Sequence, residues 1–142
     1  MIDTKTGAIA LEAENFVIQP SMTREEYLSS PLAGAPLGGG VEPYSSFFAG
    51  AVEIMGHSFN LTLGFHGSDL TGLQLTSNDE KFGTSWADWS KEKEMERKRF
   101  HDSWLAKVLG NDRYPYEYDW GSVRSFYDEK GGFSYVSIKY RT

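Results

Sequence analysis

Residues 57–65 read His-Ser-Phe-Asn-Leu-Thr-Leu-Gly-Phe, so Phe59, Leu61, Leu63 and Phe65 alternate with Ser58, Asn60, Thr62 and Gly64. A strand repeats every two residues, and this spacing gives one apolar face and one polar face. The neighbouring runs, 44–55 and 70–76, are joined to it only by Met55-Gly56 and His66-Gly67-Ser68-Asp69. Links this short connect antiparallel neighbours, because a parallel crossover needs a dozen residues or more. The chain therefore contains an antiparallel three-strand meander with one apolar face that another element must cover.

The expected cover is a long helix beginning at Thr84 or Ser85 and ending near Leu109, with Gly110 in the left-handed position beyond its end. Trp86, Trp89, Phe100, Trp104 and Val108 fall within about 100° of arc on that helix, the width of a buried stripe. Lys93 and Arg97 share the arc, with stems expected to lie on apolar surface while their charges reach water. The alternating charges of 91–99, with Glu94 four residues before Lys98, read as a solvated face.

Before the meander, residues 5–19 read as a hairpin turning at 12–15. Thr23-Arg24-Glu25-Glu26 has capping-box spacing and starts a short helix that Pro31 limits. Residues 29–40, ending in Gly38-Gly39-Gly40, have loop composition. After the helix, 116–127 and 133–140 read as strands of a C-terminal hairpin turning at 128–132. The expected fold is one α+β domain: an antiparallel sheet (N-terminal hairpin, three-strand meander, C-terminal hairpin) packed against one long helix, with one short helix.

Charge is unevenly placed along the 142 residues. Residues 1–80 hold two basic and ten acidic side chains, a formal −8, and 81–142 hold twelve basic and ten acidic, a formal +2. From 25 to 80, 56 consecutive residues carry no Lys or Arg, while Glu25, Glu26, Glu42, Glu53, Asp69, Asp79 and Glu80 fall in that interval. Nucleic-acid affinity rests on neutralising phosphates with Lys and Arg, so the acidic half argues against a nucleic-acid partner and for a basic protein. No stretch of ~18 apolar residues and no signal-like start is present, so no membrane role is expected and the cytoplasm is the expected location.

Chemistry is sparse. The chain has no cysteine, which removes thiol nucleophiles and thiolate metal sites. Serine-nucleophile elbows, phosphate loops, dinucleotide fingerprints and paired-histidine zinc motifs are missing. His57 and His66 flank one strand, too far apart to share a metal from it, and His101-Asp102 is the one histidine–acid neighbour pair. No metal or cofactor is expected. Glu117 and Asp119, two residues apart, would share one strand face with each other, interleaved along the strand with Tyr116, Tyr118 and Trp120. Glu117, Tyr118 and Asp119, with Glu42, Glu53 and Asp69, are the candidate partner-binding residues.

Trp86-x-x-Trp89-x-x-x-Lys93-Glu94, followed by Arg97-Lys98, His101-Asp102 and Trp104-Leu105, then Trp120-Gly121-x-Val123-x-Ser125-x-Tyr127-Asp128, resembles small bacterial cytosolic proteins of uncharacterised function. The resemblance covers mainly the second half and implies a bacterial setting without assigning an activity to any residue. Small acidic domains of that setting include immunity proteins for secreted toxins. The expected function is a non-catalytic acidic module, of the immunity type, that binds a basic protein. The alternatives are a small-molecule binder with a pocket between helix and sheet, and a small enzyme using carboxylates or His101 and Asp102.

Overall fold

The computed structural model describes residues 1–38 and 40–141; Gly39 of the expected glycine-rich loop lies outside them. The chain is α+β. A two-stranded antiparallel sheet, β1 (Ile9–Leu11) and β2 (Phe16–Ile18), precedes the short helix α1 (Arg24–Leu28). Thr23 caps α1 as its spacing predicts, accepting from the Glu26 N–H while the Glu26 carboxylate accepts from the Thr23 N–H.

The main sheet is antiparallel throughout and holds seven strands. They are β3 (Ala35–Pro36), β4 (Tyr44–Ile54), β5 (His57–His66), β6 (Asp69–Ser77), β7 (Tyr116–Tyr118), β8 (Gly121–Asp128) and β9 (Phe133–Tyr140), in the order β3-β4-β5-β6-β9-β8-β7. The central antiparallel meander forms as expected, with Leu61 opposite Leu75 and Leu63 opposite Phe47 and Leu73. Pairing of Leu75 with Val136 then joins the C-terminal strands to it. Buried Val52, Ile54, Phe59, Leu61, Leu63, Phe65, Leu73, Leu75, Val136 and Ile138 make one apolar face.

Two expectations for the strands need correction. The segment 116–127 is two strands, because the chain turns at Asp119-Trp120. Gly121 permits this turn: a Cβ there would collide with the Lys139 carbonyl oxygen, so the strand closes against β9 only without a side chain. The loop 29–40 also contributes the short edge strand β3, held by pairing to Phe47 and Phe48.

The long helix also differs from expectation. Helix α2 runs Lys91–Leu109, with Ser90 as N-cap and Gly110 left-handed at φ 77° beyond the last residue. Trp86–Asp88 form a separate 3₁₀ turn, closed by a capping box between Ser85 and Asp88. Trp89 follows in extended geometry and donates its indole N–H to the Gly132 carbonyl, which ties it to the β8–β9 turn and off the helix axis. Trp86 and Trp89 are consequently 74% and 40% exposed, whereas Trp104 is buried at 3%. The buried face of α2 is Glu94, Arg97, His101, Trp104, Leu105 and Leu109. This helix covers β8 and β9 and reaches Phe59 through Trp104, with ring centroids 4.5 Å apart. Tyr27 of α1 covers the other end, packing on Phe47 and Phe65.

Candidate functional site

Two charges of α2, Glu94 and Arg97, point inward where the sequence pattern suggests solvent, while Lys91, Glu92, Glu96 and Arg99 face solvent as expected. The Glu94 carboxylate accepts from the Ser134 N–H at 2.9 Å and pairs with the Arg97 guanidinium, and Arg97 also donates to the Gly83 carbonyl. Glu94 and Arg97 are 2% and 8% exposed, so the pair is buried. Lys98 bonds Asp102 instead of Glu94, at 3.0 Å. Pattern alone cannot separate this arrangement from an exposed ladder, because both satisfy i, i+3 and i, i+4 spacing; the deciding group is the N–H of Ser134, 40 residues away.

Above this pair lies a pocket of about 550 Å³ at the end of the sheet where β5 begins, β6 ends and the 79–89 segment crosses. Trp86, Trp89 and Phe133 line it with Asn60 and Asn78, and Glu94 and Arg97 reach it from below. The two indole rings sit 6.0 Å apart, and both lie against Gly132. The Asn78 amide donates to the Asn60 carbonyl oxygen at 3.2 Å. That bond leaves the Asn60 NH₂ and the Asn78 oxygen able to meet a ligand. The N–H groups of Ser85 and Thr84 hold the Asp88 carboxyl below its usual pKa range and fix the turn that carries Trp86. Lys93 adds a bond from its ammonium to the Asp88 carbonyl.

The six residues singled out from sequence fall in three places. Glu53 lies opposite Ser58 on β4, at the same end of the sheet as this pocket but outside its lining. Glu14 accepts from the Glu53 N–H and adds a second carboxylate there. Asp69 lies opposite His66, which lies opposite Tyr44, so Asp69 and nearby Glu42 belong to the other end of the sheet, roughly 30 Å from Glu53 at ~3.3 Å per residue. Glu117, Tyr118 and Asp119 lie on and after edge strand β7, five strands from β4. Glu117 pairs with Arg124 at 2.9 Å. Asp119 sits in the turn and does not share a strand face with Glu117. Tyr118 stacks on Trp120 at 5.0 Å, and the Trp120 N–H donates to the Thr4 carbonyl. The aromatic rings there pin the N-terminal segment to the sheet.

His101 and Asp102 diverge, as residues 100° apart on a helix must. Asp102 faces out to Lys98, while His101 is fully buried and accepts the Ser77 N–H at its Nε2. Burial, then the nearby Arg97 charge, lowers the His101 pKa to about 4 despite the opposing effect of Asp102. An imidazole that accepts a backbone N–H and resists protonation is a structural acceptor. Above pH ~6.5 it is neutral in both folded and unfolded chains, but below that the unfolded chain takes up a proton that the folded chain refuses. Stability is therefore expected to fall by about 1.4 kcal/mol per pH unit as pH drops from ~6.5 toward 4.5. Urea unfolding across that window should show the slope in wild type and lose most of it in His101→Gln.

A second cavity, about 530 Å³, lies between α2 and the β7–β8 edge and touches Asp102, Leu105, Tyr114 and Tyr116. Among the described residues, no group of three or more His, Asp or Glu side chains is placed to hold a metal ion. Among the described residues, no helix is long and apolar enough to cross a membrane. No protein-family model, curated protein or solved structure matches the chain.

Two features of the pocket were not legible as a site in the sequence. Trp86 and Trp89 carried the right spacing for core, and Asn60 and Asn78 carried no signal. The one available hint was Ser85-x-x-Asp88 followed at once by Ser90, two cap signals five residues apart, which break a single long helix into a turn and a helix.

Proposed function

We propose that this chain is a non-catalytic binding domain, of the kind immunity proteins exemplify, and that its partner is a basic protein. The observation that carries this reading is the exposure of the Trp86 and Trp89 indoles at the same end of the sheet as Glu53, which lies on β4, across β5 and β6 from the strand whose turn the indoles cover. Aromatic anchors supply most of the holding energy in protein interfaces, and charges around them steer approach. Folding does not account for Trp86, whose ring is 74% exposed and adds little to the core. The formal −8 of residues 1–80 gives the steering its sign.

The buried histidine and the buried ion pair are engaged in the fold itself, which supports a binding reading. His101, Glu94 and Arg97 are each engaged in bonds that hold elements together. A bacterial cytosolic setting is part of the same proposal. To test it, the partner is captured from the native cell and its association rate is measured across a salt series. The rate is expected to fall as the screening length shortens toward about 8 Å at physiological ionic strength. An on-rate indifferent to salt would contradict electrostatic steering.

A further inference from the structure

We infer that the Trp86–Trp89 pocket is built to receive a cationic side chain of the partner, a guanidinium or an ammonium, stacked on the Trp86 ring. This assignment rests on the binding-domain reading above and adds the chemistry of the anchor. Indole is the strongest of the aromatic faces for a cation. The chain already covers other rings near the pocket with its own cations. Lys81 and Arg97 lie over Phe82 at 5.1 and 5.7 Å, and Lys91 lies over Tyr127 at 5.9 Å. Among the described residues no Lys or Arg lies over Trp86, the most exposed ring of the group.

The buried Arg97 does not oppose an incoming cation. Its guanidinium is paired with Glu94 and bonded to the Gly83 carbonyl, so its charge is compensated inside the fold. Outside, Glu80 and Glu129 are exposed on the segments that flank the pocket, next to exposed Lys81 and Lys130; Lys81 already lies over Phe82, and Lys93 is bonded to the Asp88 carbonyl. The free oxygen of Asn78 can accept from an ammonium or guanidinium N–H. A volume of about 550 Å³ takes a long basic side chain together with the water at its head.

The test uses the intact chain and two small probes, N-acetyl-arginine amide and its uncharged urea isostere, N-acetyl-citrulline amide. Indole N–H signals are followed by NMR during titration. The arginine probe is expected to shift the Trp86 and Trp89 signals saturably and to bind roughly fivefold or more tightly than the isostere, as a part-exposed cation–π contact requires. Trp86→Ala should abolish the saturable shift and Trp86→Phe should keep part of it, with urea unfolding confirming that both variants remain folded. Equal affinity for the two probes, no saturable shift, or preferential binding of a neutral sugar would overturn the assignment. If a captured basic partner keeps its salt-dependent on-rate while Trp86→Ala leaves its off-rate unchanged, this inference falls and the binding-domain reading stands. A salt-independent partner with the probe preference intact would give the reverse.

Discussion

Replacing Arg97 with Ala is expected to destabilise the fold by about 3–5 kcal/mol, although Arg97 belongs to a segment whose sequence looks like a solvated helix face. The cost comes from what remains. Glu94 is 2% exposed and accepts from the Ser134 N–H, so without the guanidinium an uncompensated carboxylate stays buried between α2 and β9. Gly83 also loses the donor to its carbonyl, which loosens the segment that leads to Trp86. The pair itself adds little net stability, because its attraction is largely offset by the desolvation of two charges. A double variant, Glu94→Gln with Arg97→Met, should therefore recover much of the loss, since an amide oxygen can still accept from Ser134. Urea unfolding of the three proteins decides the matter. A loss under ~1 kcal/mol for Arg97→Ala would mean that the pair is open to water.

The second large effect separates two tryptophans that sequence pattern treats alike. Trp104→Ala is expected to cost about 3–5 kcal/mol, the range for removing a buried large aromatic. Trp104 is 3% exposed and packs on Phe59 in the centre of the sheet. Its cavity would be walled by β-strands that cannot collapse without breaking register. That loss is a large part of the 5–15 kcal/mol a domain has. Trp86→Ala should change stability by no more than about 0.5 kcal/mol, as surface substitutions do. Chemical denaturation followed by far-UV circular dichroism measures both, and similar losses for the two would return Trp86 to the core.

The sheet was readable because alternation in β5 is unambiguous and its links are too short for anything but antiparallel neighbours. The caps at Thr23 and Gly110 were readable for a local reason: each depends on residues within one turn. What was not readable depends on distant groups. The caps at Ser85 and Ser90 leave Trp89 outside the helix, but where Trp89 then goes is set by the Gly132 carbonyl, 43 residues later, which takes its N–H. Glu94 turns inward because Ser134 offers an N–H. Strand β9 pairs with β6, and no residue in either announces that pairing. The candidate site inherits this limit. Glu53, Asp69 and Glu117 are comparable acids in the chain, yet the topology sets them at two ends and one edge of a seven-stranded sheet.

That separation makes the central claim testable in one comparison. Glu53→Lys and Asp69→Lys change net charge equally, but only Glu53 stands at the sheet end that carries Trp86 and Trp89. Association rates of the captured basic partner are measured for both variants at low salt. Glu53→Lys is expected to slow association severalfold, and Asp69→Lys, roughly 30 Å away and beyond a ~10 Å screening length at 0.1 M salt, much less. Equal slowing by the two variants, or slowing by Asp69→Lys alone, would contradict placing the recognition face at the Trp86 end of the sheet.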